Sequence, residues 1–299
     1  MNQNDGLAHL FDTHRDRLRA VAHRILGSPA EADDAVQEAW LRLARADADS
    51  IVNPPGWLTT VVSRICLDML RSREARREEL VGDHRADDLA DPHADGDPEQ
   101  EALLTESVGR ALLVVLDRLA PAERVAFVLH DLFAVPFNEI ALVLDRSSAA
   151  AKQLASRARR KVRGTPTVSA AELFRRQHVI DAFLAASRAG DVDAVLAVLA
   201  PDVVRKADRA ALPDGRPIEV RGARAVAEEI VVFGRKAWCA EAALVDGTGG
   251  IVVAPYGRLS LVLAVTVEDD RITGYELIAD PERLRGLDLA VLDETSSAA

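Results

Sequence analysis

Apolar residues recur at helical intervals through the first half of the chain, and the places where that rhythm breaks divide it. From Leu7 to about Arg77 the breaks fall at Gly27-Ser28-Pro29 and Asn53-Pro54-Pro55-Gly56, which predicts three helices. Ser28 is placed to cap the second, with Pro29 in its first turn and Glu31 three residues beyond the cap. Ala32, Ala35, Val36, Ala39, Trp40 and Leu43 then make one apolar stripe, leaving Asp33, Asp34, Gln37, Glu38, Leu41 and Arg42 on other faces. On the third helix Trp57, Leu58, Val61, Val62, Ile65 and Met69 face inward, and its far end turns cationic with Arg71, Arg73, Arg76 and Arg77.

The helical pattern resumes at Val108, Leu112, Val115, Leu116 and Leu119. Val125, Val128, Leu129, Leu132 and Phe133 mark a further helix after Pro121, and a short one spans Phe137 to Leu144. A turn, Asp145 to Ser148, leads to a helix whose inward stripe is Ala151, Leu154, Ala155, Ala158 and Val162. That spacing is helix-turn-helix, with the second helix suited to a major groove. Beyond Pro166, Ser169 and Glu172 suggest a capping box that opens a helix to about Ala189, and Asp191 to Leu199 supplies a shorter one. After Pro201 the texture becomes strand-like, at Ile251–Ala254, Leu259–Val267 and Arg271–Ile278, the last two joined by an Asp269-Asp270 turn. Two helices followed by a curved antiparallel sheet imply an α+β module.

Charge sharpens this division. The 299 residues carry a formal charge of -11, which opposes indiscriminate nucleic-acid binding unless cations are segregated. They are: seven of them and no carboxylate lie between Asp145 and Gly164. Lys152, Gln153, Ser156, Arg157, Arg159, Arg160 and Arg163 stay outside the apolar stripe there, a face that suits a phosphate backbone. Between Glu78 and Glu106, by contrast, eleven Asp or Glu stand against Arg85 alone, with Pro92 and Pro98 as helix breakers, which reads as a disordered tether. Cys66 and Cys239 have no metal-ligand spacing and read as reduced core thiols. No apolar run approaches membrane-spanning length and no signal peptide is evident, so no membrane partner and a cytoplasmic location are expected.

The stretches Ala30–Leu43 and Trp57–Arg71 resemble region 2 of an extracytoplasmic-function bacterial sigma factor. Leu119–Phe133, Phe137–Ala141 and Gln153–Arg160 look like region 4 of the same family. The part after Pro166 resembles the SnoaL-like fold of one sigma-factor subgroup, with Gly190–Ala194, Asp246–Gly250 and Ile278–Leu284 as local echoes. The fold this implies is two all-α sigma domains, a region 2 helical bundle and a region 4 helix-turn-helix, followed by an α+β SnoaL-like (NTF2-like) cone-shaped domain. The boundaries expected are 1–77, an acidic linker over 78–106, 107–164 and 165–299.

The resemblance implies a sigma factor that directs promoter-specific initiation. It places the clamp of the polymerase beta-prime subunit against Asp34, Gln37, Glu38 and Leu41. An exposed acidic face with an amide fits a basic partner, although by itself it would read as a solvated surface. Capture and melting of the -10 element fall to Asn53, Arg64, Asp68, Arg71, Arg73 and Arg76, since a flipped base needs a hydrogen-bonding pocket with adjacent phosphates held. Trp57 reads as a core anchor rather than a stacking platform. At the -35 element Ser148, Lys152 and Gln153 face base edges, while Ser156, Arg157, Arg159 and Arg160 complete the DNA-contacting set, the arginines on the backbone. Many relatives carry Asn where this chain has Arg64, and Pro, Val and Arg where it has Ser148, Ala151 and Lys152. Its preferred promoter therefore need not be theirs.

SnoaL-like folds include enzymes, yet the C-terminal module has one histidine, His178, and its acids Asp202, Asp208 and Glu276 show no paired spacing. Trp238 and Tyr256 fit either a cavity wall or the sheet core. A non-catalytic regulatory domain is therefore expected, touching the sigma regions around Asp246, Gly247, Gly249 and Gly250 in a tight exposed turn. No cofactor, metal or dedicated anti-sigma factor is required, and a small-molecule ligand of this domain stays open. The alternatives are a ligand-sensing helix-turn-helix regulator acting without polymerase, and a SnoaL-type enzyme fused to a DNA-binding module. If the tether mimics nucleic acid in the polymerase channel, neutralising Asp87, Asp88, Asp91, Asp95 and Asp97 changes the lengths of abortive transcripts. Unchanged lengths contradict it.

Overall fold

A computed structural model describes residues 3–46, 51–80 and 109–292. The acidic tether lies outside the described residues except for Glu78–Leu80, which continue the third helix. The described chain divides into two compact units, one holding 3–46, 51–80 and 116–159, the other 109–115 and 160–292.

In the first unit α1 (Gln3–Leu26), α2 (Pro29–Arg45) and α3 (Pro54–Leu80) follow the predicted breaks. The Ser28 hydroxyl accepts from the Glu31 amide at 3.5 Å, but the Glu31 carboxylate pairs with Arg73 of α3, so side-chain capping joins a helix–helix ion pair. Ala32, Ala35, Val36, Ala39 and Leu43 are buried, as the stripe requires, and Trp40 leans on Phe11 with ring centroids 5.2 Å apart. Burial on α3 is wider than its stripe, because Ser63, Cys66, Leu67 and Leu70 are also enclosed. The cause is its position: α3 packs against α1 and α2 and also against two later helices, α5 (Pro121–Phe127) and α6 (Phe137–Leu144). A helix covered on more than one side has no single polar face.

The helix expected to run from Pro121 through Phe133 is shorter than that. α5 stops at Phe127 and a π turn covers Val128–Leu132, closed by the Val135 amide on the Leu129 carbonyl at 2.9 Å. α4 (Arg110–Asp117) precedes α5, and α7 (Ser148–Arg163) follows α6. Asp145, at φ 53° and ψ 53°, ends α6 in the left-handed conformation, and the Ser147 hydroxyl takes the Ala150 amide at 3.2 Å to start α7. Ala151, Ala155 and Ala158 are fully buried, so α7 packs closely while its long side chains point away.

In the second unit α8 (Ala170–Ala189) begins at its Ser169 cap and ends at left-handed Gly190, and α9 (Val192–Val198) is capped by Asp191. The strands are β1 (Leu199–Ala207), β2 (Glu219–Arg221), β3 (Ala240–Val245), β4 (Thr248–Val253), β5 (Leu261–Glu268), β6 (Arg271–Ile278) and β7 (Leu289–Ala290). They form one sheet ordered β2-β1-β6-β5-β4-β3-β7. The antiparallel expectation is corrected here: β1 pairs with β6 in parallel, while β3 to β6 form an antiparallel meander. Alternation reveals a strand but not its partner, and β1 is separated from β6 in sequence by all the strands from β2 to β5. A further helix, α10 (Ala223–Phe233), and the short α11 (Pro281–Gly286) complete the α+β unit.

Its core joins Ile180 and Phe183 of α8, Val226 of α10 and Ile251, Ile272 and Tyr275 of the sheet. Within it Arg205 is wholly buried, its guanidinium on both Glu229 oxygens at 2.6–2.9 Å and on the Pro217 carbonyl at 2.9 Å. Removing one partner strands a charge, so Glu229→Ala should cost about 3–5 kcal/mol, whereas replacing both by apolar residues of similar volume should cost far less. Urea unfolding checks this, and equal losses in the single and double variants contradict it.

Candidate functional site

The α2 ridge is built by helical spacing, since residues 34, 37, 38 and 41 share a face once the apolar stripe is buried. Asp34 and Gln37 are exposed, and Leu41 keeps 41% of its surface. Glu38 pairs with Arg42 at 3.0 Å, both nearly half-exposed, an i,i+4 contact weak enough to exchange for a partner's cation. Asp33, next to the ridge, is taken up by a two-pronged contact with Arg19 at 2.6 and 3.0 Å.

The α3 candidates separate. Arg71 and Asp68 are exposed and 3.9 Å apart, and Arg76 is exposed with its Nε on the Ser72 carbonyl. Arg73 is instead half-buried on Glu31 and the Leu26 carbonyl, tying α3 to the α1–α2 junction. Asn53 acts first as a cap, its Oδ1 taking the Gly56 amide at 3.3 Å; a Cβ on Gly56 would come 2.6 Å from Asn53 Nδ2. Arg64 donates to the Leu142 carbonyl of α6 at 2.6 Å, a contact that joins α3 to the helix-turn-helix. Trp57 is half-buried. Glu31, Arg42, Asp68, Ser72, Arg73 and Arg76 line a groove of about 270 Å³ on this side of α3.

Sequence reasoning missed Arg124. It lies on α5 four residues before buried Val128, and that charge on an apolar helical face was the available signal. It is 2% exposed, reaches to 3.1 Å from where a Cβ on Gly27 would stand, and pairs with Asp117 at 3.2 Å. Its Nε has no hydrogen-bond partner among the described residues. Burial is the largest influence on it and lowers its pKa. Nearby, Arg24 lies over the Phe133 ring at 5.4 Å. Burial also pushes the Cys66 thiol up to about 12.

On α7, Ser148, Lys152, Gln153, Ser156 and Arg160 are exposed along one helix. Arg157 reaches buried Glu123 at 3.6 Å, and Arg159 is held by Asp131 at 2.6 Å. Among the described residues, Arg157 and Arg159 are thus oriented by acids of α5 and the π turn, while the other five candidates stand exposed.

In the second unit the Asp246-Gly247 turn joins β3 and β4, both residues at positive φ. Asp246 is exposed and binds the Asp288 amide at 2.8 Å; the Gly247 carbonyl accepts from the Thr167 amide and hydroxyl at 2.8 and 3.0 Å. Of the expected exposed turn, Gly247, Gly249 and Gly250 are all buried: a Cβ on Gly249 would sit 2.9 Å from Ile180, and one on Gly250 2.6 Å from Val245. They permit packing of α8 and of the hairpin.

Two of the candidate acids, Asp208 and Glu276, share the Arg283 guanidinium, at 3.7 and 2.8 Å. Asp208 accepts the Ala211, Ala279 and Asp280 amides at 2.8–2.9 Å, Glu276 pairs with Arg283, and Asp202 is exposed. His178 is exposed against Phe174. Trp238 does not fill the core; it is half-exposed under the Arg110 guanidinium. The side chain of Tyr256 lies outside those described. Among the described residues no helix is long and apolar enough to cross a membrane.

The family models for Sigma-70 region 2 and Sigma-70, region 4 match residues 10–76 and 109–162. The chain is 38% identical over 293 residues to ECF RNA polymerase sigma factor SigJ of Mycobacterium tuberculosis, covering 92% of each. It is 35% identical over 292 residues to the probable ECF RNA polymerase sigma factor SigI of the same species, covering 95% of this chain and 97% of that one. Both alignments necessarily run through the C-terminal unit. Among solved structures it is similar to the crystal structure of M. tuberculosis extracytoplasmic function sigma factor SigJ, at 34% identity and a TM-score of 0.44, covering 93% and 98% of the two chains.

The buried cations give a pH test. Burial, helped by Arg24, Arg19 and Arg124, lowers the pKa of His23 from 6.5 to about 4. Between those values the unfolded chain binds a proton that the folded one refuses, so stability is full above pH 6.5 and falls as pH drops towards 4. Urea titrations of the wild type and His23→Gln should show a shallower decline for the variant in this window; parallel declines contradict the assignment.

Proposed function

The chain belongs to the extracytoplasmic-function RNA polymerase sigma factors, and on that premise we propose how its surfaces share the work of promoter-specific initiation. It is an alternative sigma factor that binds core RNA polymerase and promoter DNA. The α2 ridge of Asp34, Gln37, Glu38 and Leu41 docks on the clamp of the beta-prime subunit, offering carboxylates to cations around an apolar contact. Arg64, Asp68, Arg71 and Arg76 serve the -10 element, with Asn53 shaping the loop and Arg73 bracing α3 from behind. α7 enters the major groove at the -35 element, where Ser148, Lys152 and Gln153 meet bases and Ser156, Arg157, Arg159 and Arg160 meet the backbone. The observation that carries this reading is the segregation of charge: an exposed acidic ridge on α2 and an exposed cationic face on α7.

The same premise requires the first unit to open. Two elements about 25 base pairs apart are separated by about 85 Å of duplex, whereas a folded unit of about 150 residues is only about 40 Å across. Arg64 commits one Nη to the Leu142 carbonyl in the closed unit, so -10 capture competes with closure for its donors.

The C-terminal SnoaL-like domain regulates rather than catalyses. Asp208 and Glu276 are engaged in backbone caps and ion pairs, Asp202 is exposed on the surface, and the Arg205–Glu229 pair occupies its interior. It acts where the polymerase acts, in the cytoplasm, without a dedicated anti-sigma factor.

Run-off transcription with purified core polymerase tests the reading. The wild type should initiate at a cognate promoter, and reversing charge at Asp34 and Glu38 should weaken polymerase binding at least tenfold while leaving binding to -35 duplex unchanged. Arg160→Ala should instead flatten the dependence of log K on log salt for duplex binding by about 0.9. Retained polymerase binding in the first variant, or an unchanged slope in the second, contradicts the assignment.

A further inference from the structure

Residues 109–115 and 160–162, the two ends of the region 4 match, belong to the C-terminal unit. At the first end, Glu241 of β3 takes the Arg110 amide at the start of α4, where a carboxylate meets the positive end of the helix. Gly109, at φ 75°, leaves the room: a Cβ there would lie 2.8 Å from Glu241 Oε1. The Arg110 guanidinium then stacks over Trp238 at 5.4 Å. At the other end, the Val291 amide after β7 donates to the Val162 carbonyl at 2.8 Å, satisfying an acceptor that the last turn of α7 leaves open. Gly164, at φ 61°, lies so close that a Cβ would come 2.5 Å from Ala290 and 3.0 Å from Leu244.

One strand carries both anchors. Glu241 and Leu244 are three residues apart on β3, about 10 Å along an extended chain, and Leu244 pairs with Ala290 of β7. A single attachment would leave the held segment free to swivel, whereas two fix its direction.

We propose that β3 and β7 hold the -35 module by both its ends, with Glu241 and Trp238 as the releasable anchor, so that the C-terminal domain exerts its control on -35 engagement and not on -10 melting. This rests on the sigma-factor reading above. The occupant of the Glu241–Trp238 surface is this chain's own Gly109-Arg110 pair. In sequence it closely follows the acidic linker.

The test uses the full chain carrying Glu241→Gln, and separately Glu241→Gln with Trp238→Ala. Hydrogen exchange at Arg110–Leu113 should quicken about tenfold in the double variant, and less in the single one, with exchange in the β4–β6 meander unchanged. Run-off yield with core polymerase should change at least threefold on a promoter with both elements and stay within twofold on a premelted -10 template lacking a -35 element. Unchanged exchange removes the anchor. Equal changes on both templates, or none on either, overturn the routing. If the wild type initiates on neither template the sigma-factor reading is at fault, and the exchange comparison still decides the anchor.

Discussion

The first unit is held closed by apolar packing around α3 that works against buried positive charge. Arg124 is enclosed with Asp117 as its close ion-pair partner, within the influence of Arg73, and His23 beside it is kept neutral by burial and by three arginines. A guanidinium taken from water costs several kcal/mol, which one carboxylate repays only in part. Such a core can be stable and still separable, because opening returns the charge to water while exposing apolar surface. Such a balance suits the proposed reading, in which the unit is compact alone and opens on a promoter.

Much else follows from where cations are engaged. Arg73 and Arg124 are absorbed by the fold, Arg64 bridges α3 and α6, Arg157 and Arg159 are oriented by Glu123 and Asp131, and Lys152 and Arg160 stay exposed. A sequence shows all of them as equivalent positive charges. The structure grades them by how much must be broken before each could meet a phosphate, and that grading sets the exposed cations of α7 apart from Arg64 and Arg73 of α3.

The helices of the first half were legible because each break was written in residues with a local cause: Ser28 and Pro29 at α2, Asn53 to Gly56 before α3, and Asp145 to Ser147 between α6 and α7. What was hidden depends on distant partners. The extra burial on α3 comes from α5 and α6, the parallel pairing of β1 with β6 joins strands far apart in sequence, and the buried glycines of β4 are explained by Ile180 and Val245 rather than by their own turn. The α2 ridge and the face of α7 could be read as surfaces directly. Arg124, Glu241 and Trp238 could not, since their meaning lies in what they touch.

The most direct measurement is the distance between spin labels at Asp16→Cys on α1 and Asn138→Cys on α6, taken on the free chain and on its complex with core polymerase and a promoter. The account predicts a separation within about 40 Å in the free chain, the span of one folded unit of this size, and a shift well beyond it in the promoter complex. One unchanged short distance in an active complex would contradict it.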